Sequence, residues 1–298
     1  MAAPVIQVSG LRKAYGDHEA VRGVDLEVDE GEVFAFLGPN GAGKTSTVEV
    51  LEGYRERSGG DVRVLGVDPG SPTRDWRERI GIVLQQCRMR PELTVHETIA
   101  LYAGYYREPL GISETIAHVG LTEKANERAG RLSGGQLRRL DVAVALIGDP
   151  DLLFLDEPTT GFDPSARRQA WDVIAGLRAL GKTVFLTTHY MDEAQRLADR
   201  VAIIAAGAIV AEGRPDELGD RESRPATISF HLAGEPPEGF DLERGPDGQL
   251  TTSTRNPVEV LNRLTGWALE RDLELEGLEV HRPTLEDIYL ELTRVEEE

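Results

Sequence analysis

The chain has 298 residues, enough for two domains or for one large domain with an appendage. Hydrophobic residues make up 40% and charged residues 29%, the composition of an ordinary soluble globular chain. A net charge of −19, from 52 acidic against 33 basic residues, argues against nonspecific nucleic-acid binding and against direct adhesion to an anionic membrane, and 6% aromatic content suggests no stacking platform for single strands.

At the start, Met1 to Val5 lacks the basic residues and apolar core of a signal peptide, and no run of about 18 apolar residues exists. With Cys87 as the only cysteine, no internal disulfide can form. The expectation is a soluble, intracellular chain. Val5 to Val8 alternates as a strand does, and Ala20 to Val28 alternates again after a turn. Two antiparallel strands are expected to make a small β subdomain there. Tyr15 between them admits two readings: a ring stacked on a purine base, or a half-buried strand tyrosine. Spacing alone favours the second.

Val33 to Leu37 is an apolar run of strand length, and Ser46 to Leu51 can open a helix. Between them lies Gly38-Pro39-Asn40-Gly41-Ala42-Gly43-Lys44-Thr45, which fits the phosphate-loop pattern G-x-x-x-x-G-K-[ST]. Glycines let the backbone wrap a phosphate closely, while successive N–H groups and the helix N-terminus aim positive dipoles at it. In such a loop Lys44 reaches the β- and γ-phosphates of a nucleotide, and the Thr45 hydroxyl ligates Mg²⁺. A glycine-rich turn that binds nothing would not need the lysine, the hydroxyl and both flanks together.

Val62 to Gly66 reads as a short strand, and Ile80 to Leu84 as a buried one ending at Gln85-Gln86. Polar residues at the carboxyl end of a buried parallel strand sit where α/β sheets bind ligands. From about Cys87 to Ile147 the period lengthens towards four, with helices over Val95–Tyr102 and Glu114–Val119, as in a helical insertion. Leu132-Ser133-Gly134-Gly135-Gln136 then opens a helix from Leu137 to Ile147. Its N–H groups could hold a second anion, although Ser133 as a plain helix cap explains the stretch equally well in isolation.

Leu152 to Leu155 forms another buried strand and ends in Asp156-Glu157-Pro158. Two carboxylates at such a strand end are poor core residues. Asp156 suits Mg²⁺ ligation, and Glu157 suits a general base facing an attacking water. Ser165 starts a helix, Thr183 to Thr188 is one more strand, and His189 at its carboxyl end lies level with the other polar strand ends. Met191–Ala198 reads as a helix and Val201 to Gly213 as a hairpin about Ala206-Gly207. After the polar linker 220–225, strands at 226–232 and 273–276 and helices at 257–270 and 285–292 suggest a small α+β appendage.

Taken together these motifs resemble the ATP-binding subunit of ATP-binding cassette (ABC) transporters, over roughly residues 4 to 217. Gly38 to Thr45 matches the first nucleotide motif, Leu132 to Gln136 the family signature, and Leu152 to Glu157 the second nucleotide motif. The resemblance implies an α/β phosphate-loop NTPase cassette with an antiparallel β subdomain and a helical subdomain, in an ATP-binding domain over residues 1–222 (insertion at about 87–147), followed by an accessory domain over 223–298. It implies ATP and Mg²⁺ as cofactors and Tyr15 as the adenine-stacking aromatic. Ser46 would complete the ATP-binding loop. Gln85 would sense the metal and the membrane partner, His189 would be the γ-phosphate switch, and Asp163 would lie in a loop crossing to a paired subunit.

By the same resemblance the signature of one subunit closes on the phosphates held by Lys44 of another, as a homodimer or a pair of different cassettes. The pair would drive a separate integral membrane subunit from the cytoplasmic face of the cell membrane. Leu155 to Pro164, with Phe162, and Thr187 to Met191 look like the branch that exports drugs, antibiotics and lipids, as does the tail Pro283 to Leu290. A cassette working on ribosomes or nucleic acid usually carries two cassettes or a long coiled insertion. This chain has neither, and no nucleic acid is expected as a partner.

Overall fold

The computed structural model describes residues 4–85, 89–218, 225–232, 239–282, 286, 287, 289 and 290. Gln86, Cys87, most of the expected linker, Pro236-Pro237 and the tail motif at Pro283-Thr284-Leu285 lie outside the described residues. Of the expected last helix, Glu286, Asp287, Tyr289 and Leu290 are described, and they are helical. The chain divides into two compact units, Met1–Pro215 and Asp216–Arg294.

In the first unit, β1 (Ile6–Tyr15), β2 (His18–Val28) and β4 (Gly59–Val64) form an antiparallel sheet in the order β2-β1-β4. The expected two-stranded subdomain therefore has a third strand, and the Val62–Gly66 segment supplies it, beginning three residues earlier than its apolar pattern. Gly59, Gly60 and Asp61 carry too little apolar surface to signal a strand, yet Asp61 and Gly59 pair with Ser9 and Arg12.

A second sheet carries the nucleotide motifs. It comprises β3 (Val33–Leu37), β5 (Ile80–Val83), β6 (Leu152–Asp156), β7 (Thr183–Thr188), β8 (Arg200–Ala205) and β9 (Ala208–Gly213), in the order β5-β6-β7-β3-β8-β9. All neighbours are parallel except the β8–β9 hairpin. Every residue of β3 and of β7 is buried, as expected for strands covered on both faces. Phe185 sits at the centre, its ring 5.5–5.7 Å from those of Phe34, Phe36 and Phe154. Packing of this kind fixes the register, so Leu37, Val83, Asp156 and Thr188 end their strands along one edge of the sheet.

Between β5 and β6 run α3 (Val95–Ala103), α4 (Ile112–His118) and α5 (Gly134–Leu146). The Thr94 hydroxyl and the Glu97 carboxylate cap the start of α3 reciprocally. The far end of α5 presses on the core sheet. A Cβ at Gly81 would stand 2.5 Å from the Ala145 carbonyl oxygen, so the helical insertion merges into the core before residue 147.

The second unit is a four-stranded antiparallel sheet, β11-β12-β10-β13, from β10 (Ala226–His231), β11 (Glu243–Arg244), β12 (Leu250–Thr254) and β13 (Glu276–His281). Helix α8 (Pro257–Glu270) buries Leu264 and Ala268, and Leu264 joins Ile228, Phe230 and Leu250 in a separate core. The strand expected over Leu273 to Glu276 is displaced. Leu273 closes the helix by donating its N–H to the Ala268 carbonyl, Asp272 turns through φ 54°, and pairing starts only at Glu276. Leu273 and Leu275 alternate as a strand would because both pack on the core from the connection.

Candidate nucleotide site

The phosphate loop joins β3 to helix α1 (Lys44–Leu51). Gly43 takes φ 104°, and a Cβ there would lie 2.4 Å from the Ala20 carbonyl oxygen, so only glycine fits. The N-terminus of α1 has no side-chain cap, which leaves its first N–H groups facing the loop's concavity. Lys44 is buried and folds back over the loop, donating from Nζ to the carbonyls of Gly38 (2.6 Å) and Pro39 (3.0 Å). Burial pulls its ammonium below the ordinary lysine range, and the carboxylates of Glu157 and Asp156 oppose that shift.

A cavity of about 360 Å³ opens in front of the loop. Pro39, Asn40, Gly41, Gly43, Lys44, Thr45 and Ser46 line one side, Gln85, Asp156 and Glu157 the other, and Tyr15, His18 and Ala20 the rim. Tyr15 is 41% exposed, which fits a half-buried strand tyrosine and also leaves its ring open to a base. Its hydroxyl lies 3.1 Å from Ser46 Oγ, and the cations of Lys13 and Arg55 stand 4.9 and 5.5 Å from the ring centre. His18 was not singled out by its sequence position; it enters the rim because the β1–β2 turn folds over the cavity.

The strand ends converge on Glu157. Its Oε2 accepts from Gln85 Nε2 (3.1 Å) and from the Thr160 hydroxyl (3.0 Å), and His189 Nδ1 stands 3.3 Å from its Oε1. The backbone here is left-handed, φ 46°, at a cost of about 1–3 kcal/mol for a residue with a Cβ. Thr187 holds it in place. The Glu157 N–H donates to both the Thr187 carbonyl and hydroxyl oxygens, at 3.1 Å each, and that hydroxyl donates to Asp156 Oδ1 at 2.5 Å. Thr187 and Thr160 thus orient the acidic pair, and neither stood out from the β-rich run or the tight turn in which it lies.

The Thr45 hydroxyl, the Gln85 amide and the Asp156 carboxylate face one cavity. That set of hard donors, with a single clear carboxylate ligand, fits a Mg²⁺ that keeps waters and takes its other ligands from phosphates. Among the described residues no group of three or more His, Cys, Asp or Glu is arranged to cage a metal. A divalent ion held by one carboxylate would form no such group.

The signature stands elsewhere. Ser133 caps α5 by accepting from the Gln136 N–H (3.3 Å), and Gln136 Oε1 accepts from the Ser133 N–H (3.0 Å). Both readings of the stretch are therefore compatible: a reciprocal cap, with Ser133 and Gly134 exposed. No residue from Leu132 to Gln136 lines the cavity at the phosphate loop. Asp163 caps the next helix, α6 (Pro164–Ala179), accepting from the N–H groups of Ser165 (2.8 Å) and Ala166 (3.0 Å). The two capped helix starts are neighbours, since a Cβ at Gly135 would lie 3.1 Å from that of Ala166.

Among the described residues no helix is long and apolar enough to cross a membrane. Residues 21–160 match the family model for ABC transporters, and residues 226–284 match the model for the C-terminal domain of ABC transporter domain-containing proteins. Similar curated proteins include the Nod factor export ATP-binding protein I of Rhizobium leguminosarum bv. viciae, 39% identical over 97% of this chain and 94% of its own length. The protein of that name from Burkholderia pseudomallei (strain 1710b) is 37% identical, covering 98% of each chain. Among solved structures, an ABC transporter cassette in its ADP conformation aligns with TM-score 0.64 at 25% identity, over 72% of this chain and 93% of that one. A dimeric post-hydrolysis cassette bound to ADP and Pi aligns with TM-score 0.62 at 26% identity, over 70% and 98%. The sheet order, the loop that cradles Lys44, the acidic strand end and these similarities agree: the chain belongs to the ABC transporter family, as an ATP-binding cassette subunit with ATPase activity.

Proposed function

We propose that this cassette hydrolyses ATP with Mg²⁺ at a site shared between two subunits, and that the pair drives a separate membrane chain that exports a drug-like, antibiotic or lipid substrate. The observation that carries the reading is the separation of two formed half-sites. The phosphate loop has Lys44, Asp156, Glu157 and Gln85 around one cavity, while no residue of the capped signature lines that cavity, and Ser133 and Gly134 are exposed. A head-to-tail pair with twofold symmetry brings each signature to the other subunit's phosphates. The solved relative bound to ADP and Pi is itself dimeric.

In this reading Lys44 and the loop N–H groups hold the phosphates, and Tyr15 stacks on the base. Thr45, Asp156 and Gln85 hold Mg²⁺, which supplies positive charge to the transferring phosphoryl group. Glu157 takes the proton of the attacking water, and His189, whose Nδ1 stands 3.3 Å from Glu157 Oε1, contacts the γ-phosphate. Asp163 keeps the loop to the paired subunit in shape by capping α6.

Residues 1–222 act as the ATP-binding domain and 223–298 as an accessory domain that stabilises the pair or tunes docking. The membrane chain docks where Tyr54, Tyr102 and Tyr106 border a groove that is also lined by Ile82 of β5, the strand that leads to Gln85. Tyr54 is 67% exposed, a large aromatic surface for water to cover. The cassette then sits on the cytoplasmic face of the membrane through that partner. The export direction follows the names of the curated relatives, which are Nod factor export proteins. Affinity capture of the tagged chain from detergent-solubilised membranes of its host tests the reading. Recovery of a polytopic membrane protein is expected, whereas recovery of ribosomes or nucleic acid without one would overturn it.

A further inference from the structure

Arg138 is a buried cation in the second turn of α5, five residues after the Ser133 cap. Its guanidinium leaves its own helix and plugs the ends of two core strands. One nitrogen donates to the Leu84 carbonyl, a second to the Asp156 carbonyl at 2.6 Å, and Nε to the Pro158 carbonyl at 3.3 Å. Leu84 immediately precedes Gln85, and Asp156 and Pro158 flank Glu157. On the same helix, Asp141 Oδ2 lies 3.8 Å from the guanidinium and balances its charge. A planar fork of donors that reaches three carbonyls on two segments is a rigid link, which a flexible lysine cannot reproduce.

We propose that Arg138 is a positioning residue that couples the two ATP sites of the paired cassettes, by tying the signature helix to the catalytic strand ends of its own chain. The proposal rests on the shared-site reading above. Because Arg138 holds the Leu84 and Asp156 carbonyls, any shift of Gln85 and Asp156 on engaging a nucleotide and Mg²⁺ would pass through its guanidinium into α5. The helix rises about 1.5 Å per residue, so the Ser133 cap is only about 7 Å along the axis from Arg138. One regular helical turn and a half transmits the shift with little loss. Ser133 and Gly134 are thereby placed for the partner's phosphates when the chain's own phosphate loop is filled. Coupling of this form is reciprocal: each site's occupancy raises the affinity of the other.

Two other features carry less. Glu193 is fully buried and accepts from Thr159 (2.9 Å) and Trp171 (3.0 Å), and none of these three residues lines the cavity. The exposed strand β13 at the sheet edge of the second unit has nothing in the structure to say what covers it.

The test is the ATP dependence of turnover by the purified chain, with Arg138→Met and Arg138→Lys beside the wild type. Nucleotide affinity of the monomer and melting temperature are measured on the same preparations. Wild type is expected to show a Hill coefficient well above 1. Arg138→Met should bind ATP within about twofold of wild type, lose at least tenfold in kcat, and fall to a Hill coefficient near 1. Arg138→Lys, which keeps the charge and guards against a variant that fails to fold, should also lose cooperativity. A wild-type Hill coefficient of 1 overturns the proposal, and so does a variant that loses kcat while retaining its cooperativity. Failure of the shared-site reading is seen separately, as the absence of any ATP-dependent dimer in Glu157→Gln with Arg138 intact.

Discussion

Glu157→Gln separates binding from chemistry at this site. The side chain is already held by three groups: Gln85 Nε2 and the Thr160 hydroxyl on Oε2, and His189 Nδ1 beside Oε1. A glutamine with its oxygen turned towards Gln85 and Thr160 keeps both of those hydrogen bonds. Its NH₂ group then donates to His189 Nδ1, which accepts in the neutral imidazole. Rearranging this network costs on the order of 1 kcal/mol, so the fold and the cavity survive. The proposed proton acceptor does not. A general base contributes about 10²–10⁴-fold, or roughly 3–5 kcal/mol of transition-state stabilisation. Turnover should therefore fall by at least a hundredfold. ATP affinity should hold or rise, because a negative charge facing the phosphate cavity is removed. Phosphate release at steady state measures the first, titration with a fluorescent ATP analogue the second. ATP should also trap the variant as a dimer on size-exclusion chromatography. A turnover rate within a few-fold of wild type would refute Glu157 as the base.

Two further substitutions probe the structure around the cavity. Gly43→Ala places a methyl against the Ala20 carbonyl oxygen and demands φ 104° of an alanine; loss of nucleotide binding and a melting temperature lower by several degrees should follow, and unchanged ATP affinity would contradict the geometry. The Glu52 carboxyl is pushed up to about 8, by burial first and then by the negative charges of Asp156 and Glu49. Because its folded pKa lies above the unfolded value of 4.5, Glu52 supports the fold fully below that pH, and the support is lost as pH rises towards about 8. Glu52→Gln should then leave the melting temperature unchanged near pH 4 and raise it by roughly 5 °C at pH 8. An equal effect at both pH values would show that the carboxyl is not held neutral.

The site was legible in the sequence where chemistry overrides pattern. Glycines, a lysine and a hydroxyl in a fixed spacing after an apolar strand have no common packing explanation, and a pair of carboxylates ending a buried strand has none either. Gln85 and His189 were placed by the same logic, because polar residues at the carboxyl ends of parallel strands meet at one edge of the sheet. Residues whose role depends on tertiary neighbours were hidden. Arg138 looks like one more surface arginine in a helix that also carries Arg139, and only the fold shows it inserted between strand ends. Thr187 reads as a β-branched strand residue until its hydroxyl is seen between Asp156 and the Glu157 backbone. In the second unit, β11 and β12 escaped notice because Leu250 to Thr254 is a threonine-rich run with one fully apolar residue. Pairing with β10 makes it a strand, and its own pattern does not.

The shared site is tested most directly by mixing subunits. Lys44→Ala and Ser133→Arg are each placed in the Glu157→Gln background, tagged differently, and assayed for association with and without ATP. Lys44→Ala alone holds no phosphates, and Ser133→Arg alone offers two phosphate loops but fills the space the partner's γ-phosphate must enter. Neither should dimerise by itself. The mixture retains one intact phosphate loop facing one intact signature, so ATP should drive the two tags to co-purify. Wild-type-like dimerisation of Ser133→Arg alone, or no association in the mixture while Ser133→Arg still binds ATP, would contradict a site assembled from two chains.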